Sequence, residues 1–224
     1  MQLSYKPYLL ELRHPFTLAM SSRTHTNAVL TQIALGEHIG YGEAAMPPYY
    51  GENCDTACAF LAEAAALLSK INDKPDQESI RQVMLEIDAI LPGNNAAKAS
   101  VDIALHDLWG KFAQKPLWQL LETRPAEMPK TSFTLGMDTP DMLRKKLSEA
   151  TGFQIIKVKL GSDNDWEIIR TIREISDLPI YADANQGWKD RDAALDLIHW
   201  LAEQNVVLIE QPNPKEDLHS AAWL

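Results

Sequence analysis

Cysteine is nearly missing from this chain, with two among 224 residues, Cys54 and Cys58. Four apart on a helical pattern, they could share a metal, but no second pair of Cys or His ligands follows, so they read as ordinary cytosolic thiols. No run approaches the roughly 18–20 apolar residues that a membrane span needs. Residues 1–12 alternate polar and apolar side chains and lack a signal peptide's charged start and apolar stretch. The expectation is a cytoplasmic protein with no membrane partner. Basic residues are also few, 21 Lys and Arg against 31 Asp and Glu, for a formal charge of −10. Phosphate neutralisation needs clustered Lys and Arg, so no nucleic-acid partner is expected. Absent too are a Gly-x-Ser-x-Gly elbow, a Gly-x-x-x-x-Gly-Lys phosphate loop and a Gly-x-Gly-x-x-Gly fingerprint. The six histidines (His14, His25, His38, His106, His199 and His219) show no zinc spacing.

What is present is an ordinary globular composition, 46% hydrophobic and 23% charged, in a chain long enough to bury a core. Residues 3–13, 28–35 and 39–44 read as strands, and 54–115 as helices. The clearest helix starts at Asn94 or Asn95, both good caps. It carries Ala97, Val101, Ala104, Leu105, Leu108 and Phe112 on one face. Three strands followed by helices suggest an α+β domain over residues 1–124. Beyond it the pattern changes. Strand candidates recur about every 25 residues, at 131–136, 155–161, 180–185 and 206–211, with helices between them. Thr139-Pro140 caps the first helix, over 142–150. Trp166, Ile169 and Ile172 line the second; Ala194, Leu197, Ile198 and Leu201 line the third. Residues 125–224 are thus four βα units of a parallel sheet, doubly wound or barrel.

Every one of those strands ends in reactive residue types. Polar groups inside a strand would be costly, whereas strand C-termini hold the chemistry of βα-repeat folds. The first ends near Thr134, the second in Lys157-Val158-Lys159, the third in Asp183-Ala184-Asn185, the fourth in Glu210-Gln211-Pro212. Period two puts Lys157 and Lys159 on one face, and Asp183 and Asn185 on one face. Asp183 and Glu210 are hard oxygen ligands on neighbouring strands, a donor set suited to Mg²⁺. A metal-held carboxylate would stabilise the enediolate left when an α-proton is removed. A nearby lysine, its pKa lowered by a second ammonium and the metal, would be the base. Taken singly these pieces are weak: a Lys-x-Lys is usually a solvated edge, and an Asp at a strand end often caps the next helix. Their joint order at repeat spacing favours a site.

At these residues the chain resembles the muconate-lactonising-enzyme subgroup of the enolase superfamily, whose pattern of Lys-x-Lys, Asp-x-Asn and Glu on successive barrel strands it repeats. Gly40-Tyr41-Gly42-Glu43-Ala44 with Gly51-Glu52, and residues 96–121 with Asp102, Trp109-Gly110-Lys111 and Pro116-Leu117, resemble the cap domain and its link to the barrel. The resemblance implies an α/β fold: an α+β cap followed by the first half of a TIM-like barrel. Thr131-Ser132-Phe133-Thr134-Leu135-Gly136 is similar to the first barrel strand of dipeptide epimerases, and Arg23, in a mobile cap loop over residues 19–27, matches a substrate-contacting arginine. It implies Asp183 and Glu210 as Mg²⁺ ligands and Lys159 as the acid/base residue. Lys157 would be its catalytic companion and hold the substrate carboxylate, with Arg23, Thr134 and Asn185 as further substrate contacts. The implied substrate is a small dipeptide, epimerised at the α-carbon of its C-terminal residue. Self-association into a homo-oligomer stays open.

Two other readings compete with it. The same site serves muconate cycloisomerisation, o-succinylbenzoate synthesis and N-acylamino-acid racemisation elsewhere in the subgroup, and a non-catalytic fragment is the third reading. The family's third metal ligand and second catalytic lysine would lie beyond Leu224. Four strands do not close a barrel, so the chain expressed alone is expected to be poorly soluble and inactive, through two bare sheet edges.

Overall fold

The computed structural model describes residues 1–18, 21–46 and 50–224. They divide into two compact units, Met1–Glu11 with His25–Met128, and Leu12–Thr24 with Pro129–Leu224.

The first unit holds most of a three-stranded sheet, with helices. The sheet order is β1-β2-β3, over Gln2–Leu18, Ser21–Leu35 and His38–Ala45, the end of β1 and the start of β2 belonging to the second unit. The helices are α1 (Cys54–Leu68), α2 (Gln77–Ile90) and α3 (Asn95–Ala113). The first two strands run further than their apolar patterns suggest. The expected loop over 19–27 is instead strand from Ser21 onward, while Ala19 and Met20 lie outside the described residues. Cross-strand polar pairing, such as Thr17 Oγ1 with Ser22 Oγ at 2.8 Å, continues where hydrophobic alternation has faded.

Strand β3 packs on α3 through two glycines. A Cβ on Gly42 would lie 1.9 Å from the Ser100 carbonyl oxygen, and one on Gly40 2.0 Å from that of Ala104. Any larger residue would push helix from sheet. Ala97, Val101, Ala104, Leu105 and Leu108 are fully buried along that helix, as their spacing requires. Its cap differs from expectation. Asn94 is left-handed (φ 53°) and makes no side-chain cap bond. Glu52 caps the helix instead, accepting from Asn95 N at 2.7 Å and Ala96 N at 2.9 Å. A carboxylate there satisfies two free N–H groups and complements the helix dipole. Cys54 and Cys58 are free thiols.

After α4 (Leu117–Leu120) and a 3₁₀ turn at Pro125–Glu127, the second unit begins. Its four parallel strands lie in the order β4-β5-β6-β7, over Ser132–Leu135, Ile155–Lys159, Ile180–Asp183 and Val206–Glu210. Helices α5 (Pro140–Ser148), α6 (Asp165–Arg173) and α7 (Arg191–Glu203) connect them, and α8 (Leu218–Trp223) follows. Sequential parallel strands joined by helices make half of a (β/α) barrel. Ile156, Val158, Ile180 and Ala182 are fully buried in one apolar core with Leu143, Ile169, Ile172 and Leu201 from the helices. Each such leucine or isoleucine contributes about 2 kcal/mol. Alternation then sends Lys157, Lys159, Tyr181 and Asp183 to the other face of the sheet. On α6 the buried apolar positions are Ile168, Ile169 and Ile172; Trp166 is 38% exposed and lies tilted against Trp200, with ring centroids 4.2 Å apart, rather than entering the core. Among the described residues no helix is long and apolar enough to cross a membrane.

Candidate active site

Strand register assembles the site. Lys159 pairs with Asp183, and Asp183 with Glu210, so the three form one row across β5, β6 and β7 at their C-terminal ends. One residue pair deeper, Thr134 stands opposite Lys157, Lys157 opposite Tyr181, and Tyr181 opposite Leu208. A register shift between Ile180 and Tyr181 brings Glu210, rather than Ile209, beside Asp183. Such a bulge adds a residue to one strand and re-aims the side chains after it.

The four charged groups form one network. Lys159 Nζ donates to Asp183 Oδ2 at 2.6 Å, and Lys157 Nζ lies 3.1 Å from the same oxygen while also donating to Glu210 Oε2. Asp183 is only 2% exposed, and its other oxygen accepts from Asn185 N at 3.0 Å. Burial works to raise the Asp183 pKa, but the two ammonium groups outweigh it and hold the carboxyl below the usual range. Burial likewise opposes the Lys157 ammonium, yet Glu210 and Asp183 hold its pKa above the usual lysine value. Lys157 is therefore an ammonium bridging two carboxylates here, not a neutral amine.

The backbone turns sharply just past the carboxylates. Asn185 (φ 48°), Gln186 (φ 64°) and Gln211 (φ 47°) all adopt the left-handed region, which non-glycine residues enter at a cost often found at functional sites. Bonds from Ala184 N to Glu210 O (3.0 Å) and Gln186 N to Gln211 O (2.8 Å) hold the turns. Asn185 Oδ1 is buried and has no hydrogen-bond partner among the described residues.

These features fit a hard divalent cation. One ammonium already touches both carboxylates, so Asp183 and Glu210 converge on a common cation, and the orphaned Asn185 oxygen lies two residues past Asp183. The described residues bring no third His, Cys, Asp or Glu to them.

Arg23 and Thr134 meet elsewhere in the same unit. They line a cavity of about 230 Å³ with His14, Phe16, Phe133 and Lys146, and the Arg23 guanidinium sits over the Phe16 ring at 5.6 Å. Lys146, on α5, is only 5% exposed. Its Nζ donates to Pro15 O at 3.2 Å and to Asp138 Oδ2 at 2.9 Å. His14 Nε2 lies 3.0 Å from Glu149 Oε2, so α5 grips the segment that carries Arg23. A larger hollow, about 550 Å³, opens beside the N-terminal ends of α5 and α6 but contains none of the site's charged residues. It is a groove between helix ends, and the strand-end chemistry lies outside it.

Parallel βα units that gather two lysines and two carboxylates at their strand ends have the layout of an enolase-type half-barrel. The chain belongs to the mandelate racemase/muconate lactonizing enzyme family: the N-terminal domain model of that name matches residues 7–122, and the enolase C-terminal domain-like model matches 142–224. It is 48% identical to an L-Ala-D/L-Glu epimerase of Bacteroides thetaiotaomicron, across 100% of this chain and 57% of that protein. Among solved structures, it is similar to a dipeptide epimerase of Cytophaga hutchinsonii complexed with Mg and D-Ala-L-Val (TM-score 0.81, 32% identity, 98% of this chain and 60% of that one). It is also similar to a dipeptide epimerase of Enterococcus faecalis complexed with Mg and L-Leu-L-Tyr (TM-score 0.83, 30% identity, 98% and 62%). The chain thus spans about three fifths of the length of these relatives.

Proposed function

We propose that this chain forms the cap (residues 1–124) and first barrel units (125–224) of a magnesium-dependent isomerase that epimerises dipeptides at the α-carbon of the C-terminal residue. The observation that carries the reading is the row Lys159–Asp183–Glu210, with Lys157 bridging its two carboxylates. The dipeptide epimerases similar to it, two of them complexed with Mg and a dipeptide, favour this reading over cycloisomerisation, dehydration or racemisation of acylated amino acids.

Asp183 and Glu210 would hold Mg²⁺, which supplies positive charge against the enediolate formed when the α-proton leaves. Lys159, nearest the strand end, would remove the α-proton of one stereoisomer and, in the reverse direction, deliver a proton to the same face. Lys157, one pair deeper, holds the substrate carboxylate. The two lysines lie on one face of the sheet, so this chain serves one face of the planar intermediate. Epimerisation needs a second acid/base group on the opposite face, which these residues do not supply. Thr134 and Arg23, sharing one cavity, and Asn185 contact the rest of the substrate.

Deuterium wash-in at the α-carbon, followed across a dipeptide panel, tests the assignment. The intact gene product should exchange the C-terminal α-proton and scramble its configuration. Lys159→Ala should lose epimerisation in both directions yet still exchange the α-proton of one substrate stereoisomer. No exchange with any dipeptide, or loss of exchange for both isomers in Lys159→Ala while Lys157→Ala keeps it, would sink the reading.

A further inference from the structure

We propose that Asp165 and Trp188 are positioning residues: their buried hydrogen bond clamps together the loops that follow β5 and β6, and so sets Lys159 against Asp183 and Glu210. Asp165 is the first residue of α6 and is 1% exposed. Its oxygens accept from Gly161 N at 2.9 and 3.0 Å, Ser162 N at 3.0 Å, Ser162 Oγ at 3.2 Å and Trp188 Nε1 at 2.7 Å. A carboxylate that merely complements a helix dipole gains the same from the surface. A buried one needs its whole donor set, and this set is drawn from two loops.

Trp188 extends the clamp to a third strand. Its backbone N donates to Pro212 O at 3.0 Å, while its indole, 8% exposed overall, reaches Asp165. Gly161 lies two residues past Lys159, Trp188 five past Asp183, and Pro212 two past Glu210. One tryptophan therefore joins the ends of all three strands that carry the charged row. The loops are also in direct backbone contact. A Cβ on Gly187 would lie 2.4 Å from Gly161 Cα, and one on Gly161, at φ 103°, would lie 2.1 Å from Ala184 O. With no side chain between the loops, the spacing is set by backbone contact and by the Asp165–Trp188 bond. Hydrogen bonds made directly to metal ligands typically hold 10–100-fold in metal affinity or activity, and this clamp, one step further out, is expected at the lower end of that range.

Trp188→Phe keeps the ring and removes the N–H; Asp165→Asn keeps the volume and one acceptor oxygen. Because the link to turnover rests on the epimerase reading, the test uses the intact protein and two readouts besides activity. The first is Mg²⁺ affinity by calorimetry, and the second is amide hydrogen exchange at Gly161 and Trp188. Trp188→Phe should weaken Mg²⁺ binding about tenfold, lower kcat more than it raises KM, and speed exchange at both amides. A variant that melts at lower temperature but keeps wild-type Mg²⁺ affinity, kcat and exchange would overturn the proposal and leave a structural bond only. If the wild type neither binds Mg²⁺ nor turns over dipeptides, the epimerase reading fails and the exchange data alone decide the clamp. Faster exchange then upholds it and unchanged exchange overturns it. Should Trp188→Phe not fold, Asp165→Asn is read by the same measurements.

Discussion

Replacing Asp183 by Asn isolates what the carboxylate does for its two lysines. The swap preserves shape but removes the charge that faces Lys159 Nζ at 2.6 Å and Lys157 Nζ at 3.1 Å. Lys157 keeps Glu210, whereas Lys159, 12% exposed at its side chain, has no second carboxylate partner among the described contacts. Removing one member of a buried pair costs about 3–5 kcal/mol. The partial exposure of Lys157 and Glu210, 23% and 43%, places the expected loss near the low end, about 3 kcal/mol. Urea unfolding of the intact protein at neutral pH measures it. The cause is tested by Asp183→Asn with Lys159→Met, which removes the stranded ammonium and should recover about 1 kcal/mol or more of the loss. The pH dependence has a definite sign. The folded Asp183 pKa is depressed, so its contribution is complete above the unfolded value of about 3.9 and fades as pH falls below it toward the folded pKa. The gap between wild type and Asp183→Asn should therefore be constant near neutrality and shrink below about pH 4. A variant within about 0.5 kcal/mol of wild type at neutral pH, a gap that widens on acidification, or a double variant no more stable than the single one would refute the argument.

Three further outcomes are expected. Lys157→Arg keeps the charge but replaces a point donor by a planar fork, and should slow α-proton exchange of both substrate stereoisomers together, as read by deuterium incorporation. Arg23→Ala should shift relative kcat/KM across a dipeptide panel by about tenfold, or ~1.4 kcal/mol, with Mg²⁺ affinity unchanged; an unaltered panel would return Arg23 to being a surface charge over Phe16. Glu52→Ala removes both bonds to the start of α3 and should lower stability by about 1 kcal/mol without affecting Mg²⁺ binding, as measured by unfolding and calorimetry.

Much of the candidate site's layout was legible because strand period is simple. Lys157 and Lys159 had to share a face, and their strand-end position next to a recurring βα pattern pointed to the sheet's reactive end. What was not legible depends on contacts with no periodic signature. Glu52 caps a helix that starts 43 residues later, so the adjacent asparagines drew the attention that a distant carboxylate deserved. Lys146 carries a charge that composition assigns to solvent, yet Asp138 and the Pro15 carbonyl bury it beneath the segment bearing Arg23. Asp165 looks like any first-turn acid until Trp188 is seen to reach it. The register of β7 is the sharpest case. Counting forward from Ile180 opposite Val206 would set Asp183 against Ile209 and turn Glu210 away; the shift after Ile180 sets it against Glu210 instead. In a strand, one residue of slip exchanges the two faces. The pairing of Asp183 with Glu210 in the candidate site thus depends on a backbone irregularity between Val206 and Leu208, and no side chain in that stretch announces it.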